Sequence, residues 1–347
     1  MILGDNLYCL KSLLYDFNLQ GKVDLIYTDP PFSTNTNFTI GERSNSISSS
    51  YLDEVAYSDT LKGADYLEYI RERIIVMYEL LSPKGSMYLH IDYKIGHYVK
   101  LIMDEIFGAT NFKNDITRIK CNPKNFSRRS YGNIKDMILF YTKSSDYIWN
   151  EPQIPLETKD INKLFKKKDK KGRLYTTIPL HAPGETENGE TSQLFKGMPP
   201  PRGRHWRSKP AELEKLDAQG LIEWSKNGVP RKIIYADDAV KKGKKLQDIW
   251  EYKDPQYPLY PTAKNIELLN LIISTSSNIG DMVLDPFAGS GTTLISANNL
   301  QRHWIGIDQS LKSIEVIKTR FNNNKETLFN LPFEEITLNS ITKTNVV

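Results

Sequence analysis

Val23-Asp24-Leu25-Ile26-Tyr27-Thr28-Asp29-Pro30-Pro31-Phe32 joins a short apolar run to a stiff turn. The run over 23–27 is bounded by Gly21 and the two prolines, and predicts a buried strand. Proline cannot continue a ladder, so the chain turns outward at the strand's C-terminal end. In open parallel sheets, ligands bind at that edge. Asp29-Pro30-Pro31-Phe32 offers there a carboxylate, a carbonyl freed from sheet pairing and an aromatic face. These parts suit an exocyclic amino group on a flat base: two acceptors for two hydrogens, and a ring to stack on the heterocycle. On this stretch alone, a strand-ending turn with an incidental Asp and Phe stays open.

Outward from it, 347 residues leave room for one large domain with an insert, or for two domains. A chain that is 39% hydrophobic and 25% charged fits a soluble globular protein. Cys9 and Cys121 are too few for a metal cluster and argue against a disulfide framework. A reducing, cytoplasmic setting is therefore expected, with no metal. Met1-Ile2-Leu3-Gly4-Asp5 lacks a basic n-region and a long apolar core, so no signal peptide is expected. No stretch reaches the roughly 20 apolar residues of a membrane span. The net charge of +4 says less than its distribution. Lys163, Lys166, Lys167, Lys168, Lys170, Lys171 and Arg173 form one basic run, and Lys241, Lys242, Lys244 and Lys245 another. Most such runs are solvated surface. Both lie in the middle third, which favours an anionic polymer as partner.

Around the opening strand, helices are expected from Leu7 to about Leu19, from Asp65 to Leu81 and over Ile95–Ile106, with strands at 86–91, 115–120 and 137–142. Residues 33–60 read as a long loop. Alternating strand and helix argue for a parallel α/β sheet. From about Asn150 to Pro255 the periodicity fades, and prolines, glycines and basic residues accumulate. Arg202, Arg204, Trp206 and Arg207, with Lys166 and Lys167, are the candidate DNA contacts there. Arginine reaches phosphates and base edges, and aromatics stack on exposed bases. The bland alternative is an irregular β insert whose aromatics form its own small core.

The α/β pattern resumes near Tyr260-Pro261-Thr262-Ala263-Lys264. Asp281–Asp285, the turn Pro286-Phe287-Ala288-Gly289-Ser290-Gly291 and Thr292 onward read as strand, Gly-rich turn and helix. A further strand ends on Asp308, and Ser310 is a plausible N-cap for a helix with Leu311, Ile314 and Phe321 inward. No Lys follows Gly291, which excludes a P-loop, and Leu294 stands where a dinucleotide site wants a third glycine. A nicotinamide oxidoreductase is disfavoured on that ground. The loop lets backbone approach a ligand and aims helix N–H groups at an anion such as a carboxylate. Asp308 is placed to accept bonds from two ribose hydroxyls. A nucleoside with a carboxylate and no phosphate fits S-adenosylmethionine.

Together, Gly4-Asp5-Asn6, Asp29-Pro30-Pro31-Phe32, Tyr260-Pro261-Thr262-Ala263-Lys264, Asp285-Pro286-Phe287-Ala288-Gly289-Ser290-Gly291-Thr292-Thr293 and Trp304-Ile305-Gly306-Ile307-Asp308 resemble the DNA amino-methyltransferases of the permuted beta group. The resemblance spans roughly Gly4 to Phe321. Asn265 replaces a proline that is common in the family's third motif. The resemblance implies a seven-stranded, mostly parallel Rossmann-like α/β sheet. It implies a catalytic half at 1–149, a target-recognition insert at 150–255 and a cofactor half at 256–347. It assigns catalysis to Asp29, Pro30 and Phe32. It assigns S-adenosylmethionine contacts to Asp5, Asp29, Lys264, Asp285, Phe287, Gly289, Gly291, Thr292 and Asp308. Asp-Pro-Pro-Phe resembles the adenine-N6 enzymes more than the cytosine-N4 ones. A cytosine-N4 enzyme, or a non-catalytic DNA-binding protein on the same fold, is the alternative. The expected partners are duplex DNA, a separate restriction endonuclease and a second copy of the chain, with no membrane.

Overall fold

The computed structural model describes residues 1–31, 63–123, 127, 129–186, 188–255, 263–323 and 334–338, with backbone only for 37–40 and 54–58. The chain divides into two compact units, Met1–Pro152 with Gln247–Val347, and Gln153–Leu246. Phe32 and Tyr260-Pro261-Thr262 lie outside the described residues.

In the first unit, nine strands among the described residues form one sheet. They are β1 (Ile2–Leu3), β2 (Val23–Thr28), β3 (Leu81–Ile91), β4 (Phe112–Ile119), β5 (Lys135–Thr142), β6 (Ile249–Trp250), β7 (Met282–Asp285), β8 (His303–Asp308) and β9 (Ile336–Thr337). Their order is β6-β4-β5-β3-β2-β7-β8-β1-β9. Seven strands were expected; three of the nine are two-residue pieces that extend a six-strand centre. All neighbours are parallel except β5, which runs antiparallel to β3 and β4. Every residue of β2 but Asp24 is buried, as for a strand covered on both faces.

Six helices cover the two faces: α1 (Asn6–Tyr15), α2 (Gly63–Leu80), α3 (Gly96–Phe107), α4 (Ile266–Ser276), α5 (Thr292–Asn299) and α6 (Leu311–Asn323). Leu10, Ile74 and Val99 from α1–α3 pack with Ile26, Met87, Leu89 and Leu284. Alternate sheet residues face the other way, where Tyr88 bonds Ser276 of α4 at 2.8 Å. Leu294, Ile295, Ile314, Ile317 and Phe321 close a second cluster over Met1 and Ala288, while Leu311, expected inward, is exposed. The substitution of Asn265 for proline does not loosen α4. Its Oδ1 accepts from Glu267 N at 2.8 Å as an N-cap, and its Nδ2 donates to Lys253 O at 2.9 Å. The loop expected over 33–60 includes an antiparallel strand pair, Asn37–Ile40 with Glu54–Ser58.

The Gln153–Leu246 unit has more regular structure than its faded periodicity suggested. Ile222–Trp224, Pro230–Tyr235, Leu174–Pro179 and Lys167–Lys168 form an antiparallel sheet in that order. These elements are too short for a clear sequence period. Leu180, Phe195, Trp206, Leu213 and Ile222 make the core. Trp206 is thus not a DNA-stacking residue. It is 1% exposed, and its indole N–H donates to Gln193 O at 3.0 Å. No helix among the described residues is long and apolar enough to cross a membrane.

Trp206→Ala should destabilise the Gln153–Leu246 unit by about 3–5 kcal/mol, the usual cost of emptying a large aromatic site. Exposed Arg207→Ala should leave stability within about 0.5 kcal/mol. Urea unfolding followed by Trp fluorescence and by amide exchange in 153–246 checks both.

Candidate active site

Four adjacent parallel strands, β2, β7, β8 and β1, bring their C-terminal ends to one edge of the sheet. Each end carries an aspartate. Asp29 follows β2, Asp285 closes β7, Asp308 closes β8 and Asp5 follows β1. Period-two pairing in a shared register puts all four within one cleft edge, although they are spread over 300 positions of sequence.

Asp29 sits with a half-buried side chain beside the His90 ring and a cation. The Lys264 ammonium lies 2.6 Å from its Oδ2. His90 Nδ1 is 3.9 Å from its Oδ1, beyond hydrogen-bond reach. Oδ1 is buried and has no hydrogen-bond partner among the described residues. Pro30, next in the chain, is buried. His90 is fully buried; its Nδ1 lies 2.9 Å from the Tyr27 hydroxyl, and its Nε2 3.2 Å from Asp136 Oδ2. Burial opposes the Asp136 charge, but His90 and Lys120 hold its carboxyl far below the usual carboxylate range. Burial pushes His90 down despite Asp29 and Asp136, so the ring is neutral. An ionised Asp136 only accepts, so the His90 proton is on Nε2 and Tyr27 donates to Nδ1. Sequence reading missed His90 and Asp136. The available signal was a histidine inside the apolar strand Ser86–Ile91.

The Gly-rich turn is braced from within. Phe287 N donates to Asp285 Oδ1 at 3.0 Å, Ala288 N to Ile307 O at 3.0 Å, Gly289 N to Asp308 Oδ2 at 2.8 Å and Gly291 N to Ala288 O at 2.7 Å. These four turn amides are satisfied internally, so the N–H groups left for an anion are those at the start of α5. Gly291 has φ +72°, and a Cβ there would meet Ile317 Cγ1 at 2.6 Å. Its missing side chain therefore serves helix packing and a left-handed turn, not ligand approach. Thr292, expected at the cofactor, is buried, and its hydroxyl is bonded to Ser290 Oγ and to Arg320 Nη1, each at 3.0 Å. Asp285 is likewise internal. Burial, with Asp29 and Asp308 nearby, pushes its carboxyl up to about 7. Burial also raises Asp308, whose two oxygens each accept one backbone N–H, from Gly289 and Ser310.

Phe287, Gly289, Asp308 and Asp5 keep some exposure at this edge. Asp5 Oδ1 caps α1 by accepting from Tyr8 N at 3.0 Å. Asn6 donates to Pro286 O at 3.3 Å and accepts from Arg73 Nε at 2.6 Å. Arg73 also covers the Tyr69 ring, which lies 6.4 Å from Phe287. Carboxylates for hydroxyls and an aromatic wall suit a nucleoside carrying positive charge.

In the other unit, Arg202, Arg204 and Arg207 are exposed. Arg204 Nη1 donates to His181 Nδ1 at 3.1 Å and Arg207 Nε to His181 O at 3.3 Å. Burial, then Arg204, Arg207 and Arg231, push His181 down. Lys166 is exposed, whereas Lys167 is paired with Glu223, and Arg173 grips Asp237 at 2.7 Å. The basic run is thus partly neutralised.

Residues 23–319 match the family model described as DNA methylase. The chain belongs to the DNA methylase family. It is 42% identical over 326 residues to the type II methyltransferase M.EcaI of Enterobacter cloacae, covering 92% of this chain and 68% of that protein. It is 27% identical over 356 residues to the type III restriction-modification enzyme StyLTI Mod subunit of Salmonella typhimurium, covering 91% of this chain and 53% of that one. The methylase chain therefore spans about two thirds of the first relative and about half of the second. Among solved structures, the cytosine-N4-specific PvuII DNA methyltransferase shares its fold. Their TM-score is 0.50 at 14% identity, over 94% of this chain and 87% of that one.

Asp285 generates a pH dependence of this methylase's stability. Its folded value of about 7 lies above the ordinary carboxylate range, so the folded state binds the extra proton. Stability from this group is present at pH 4 and is lost as pH rises through 7. Urea midpoints should fall from pH 5 to pH 8 in the wild type and change less in Asp285→Asn.

Proposed function

We propose that this chain moves a methyl group from S-adenosylmethionine to N6 of an adenine flipped out of duplex DNA. The observation that carries the reading is Asp29 Oδ1, a buried acceptor without a partner among the described residues at the C-terminal edge of a parallel sheet. It stands where an amino group can supply the missing donor. An adenine inside the duplex cannot reach it, so the base must swing out.

S-adenosylmethionine supplies an electrophilic methyl on a sulfonium when bound. Asp5, Phe287, Gly289 and Asp308 are its proposed holders, because they retain exposure at the edge. Asp285, Gly291 and Thr292 act through the shape of the turn. Asp29 Oδ1 and the Pro30 carbonyl accept the two N6 hydrogens. That draws the nitrogen lone pair out of ring conjugation and makes it a better nucleophile. Phe32 stacks on the base. Catalysis is then positioning and electrostatics in a partly dry site.

Residues 150–255 carry target recognition in this proposal. Exposed Arg202, Arg204 and Arg207 read base edges or brace the duplex, and Lys166 touches phosphate. Cytosine N4 is the second reading, favoured by the shared fold of the cytosine-N4-specific enzyme. The relatives named as type II methyltransferase and type III Mod subunit support a restriction–modification setting, with a separate endonuclease as partner. A second copy of the chain is the other partner in this proposal.

Asp29→Ala should lower transfer of labelled methyl to DNA by about a thousandfold or more, with cofactor affinity by calorimetry within about threefold. Turnover near wild type would remove Asp29 from the chemistry. Arg204→Ala and Arg207→Ala should each cost about 1–3 kcal/mol of binding on a target duplex and less on a non-target one. Equal losses on both duplexes, measured at several salt concentrations, would assign them to phosphates.

A further inference from the structure

We propose that Lys264 is a positioning residue for Asp29 and not a cofactor ligand: it holds one carboxylate oxygen so that the other faces the target amino group. This rests on the function proposed above.

The two oxygens of Asp29 have different surroundings. Oδ2 is 2.6 Å from the Lys264 ammonium, and Oδ1 has no hydrogen-bond partner among the described residues. A carboxylate held at one oxygen cannot rotate to present either face at will, so its free oxygen has a fixed direction. Lys264 is itself held. It precedes the α4 cap, where Asn265 bonds both Glu267 N and Lys253 O. Its side chain, like that of Asp29, is largely withdrawn from solvent. Burial opposes the ammonium, but Asp29 and Asp254 outweigh it and hold Lys264 above the ordinary lysine value, with Arg118 opposing. An ammonium in this state stays charged through the working pH range.

The other groups around Asp29 leave that task to Lys264. His90 is neutral, its Nε2 proton directed to Asp136 and its Nδ1 accepting from Tyr27. The Tyr27 hydroxyl is buried and held protonated, chiefly by burial and then by Asp29. Arg118 is paired with Asp254 and lies 3.6 Å from Asp136. Asp29 and Asp308 each help burial to push Asp285 up at the same edge. The contrast with Asp285 is direct. It ends the strand beside β2, has no ion pair among those of the described residues, and is pushed up to about 7. A buried carboxylate at this edge without a cation tends toward its neutral form. Lys264 takes up Oδ2 of Asp29, which leaves Oδ1 as its open acceptor among the described residues. A cofactor ligand would instead direct its ammonium at the nucleoside or at the amino-acid carboxylate.

Three readouts test this on the full chain, with Lys264→Met and Lys264→Arg. The first is cofactor affinity by calorimetry, expected within about threefold of wild type in both variants. The second is the pH profile of single-turnover methyl transfer to DNA. Its acid limb should move up by about one pH unit or more in Lys264→Met, with the maximal rate reduced about a hundredfold, and Lys264→Arg should restore much of both. The third needs no activity: the carboxyl carbon of Asp29, labelled and assigned through Asp29→Asn, should titrate at higher pH in Lys264→Met. A tenfold loss of cofactor affinity with an unmoved acid limb and unmoved carboxyl titration would make Lys264 a cofactor ligand and overturn the proposal. A lower melting temperature with both titrations unmoved would reduce it to a structural residue, and overturn it too. If the wild type transfers no methyl to DNA, the functional reading fails, and the carboxyl titration still decides the Lys264–Asp29 pairing.

Discussion

The parallel register of β2, β7, β8 and β1 is the constraint on which the remaining features rest. Each of these strands ends in or beside an aspartate, and parallel pairing sends all four ends the same way. The site is thus made by the sheet itself rather than by any one loop. Its components come from the two ends of the chain, and the Gln153–Leu246 unit is inserted between them.

Crowding four carboxyl groups at one edge is unfavourable unless each is neutralised differently, and each is. Asp5 stays largely exposed and caps a helix. Asp308 accepts backbone N–H groups at both oxygens, and Asp285 binds the turn and drifts toward its neutral form. Asp29 has a buried lysine. The four side chains are alike in type and distinct in surroundings because their partners differ. Beside Asp29, the His90 Nε2 proton goes to Asp136 and the Tyr27 hydroxyl proton to His90 Nδ1.

Much of this was legible in the residues. The Pro30-Pro31 pair marked the end of a buried strand, and the Gly289–Gly291 turn marked a strand-to-helix junction at the same edge. The antiparallel course of β5 was less visible. The lack of an apolar helical period in the sequence between 112–119 and 135–142 was the clue, because parallel neighbours need a long crossover. The tryptophan at 206 misled because an indole among arginines looks the same in sequence whether it faces DNA or a five-residue core. Thr292 and Gly291 misled for a related reason. A motif says that a turn is built in a particular way, but not which of its atoms are used up in building it. Lys264 was noticed, yet its partner lies 235 positions away, and only the folded sheet brings the two together.

The identity of the modified atom decides the chemistry at Asp29. DNA of mixed sequence, incubated with the protein and methyl-labelled S-adenosylmethionine and then digested to nucleosides, gives that directly by chromatography and mass spectrometry. The label should appear in N6-methyladenine. Label in N4-methylcytosine would contradict the choice of base. Label in no nucleoside, from a protein that binds the donor, would contradict the amino-group chemistry assigned to Asp29.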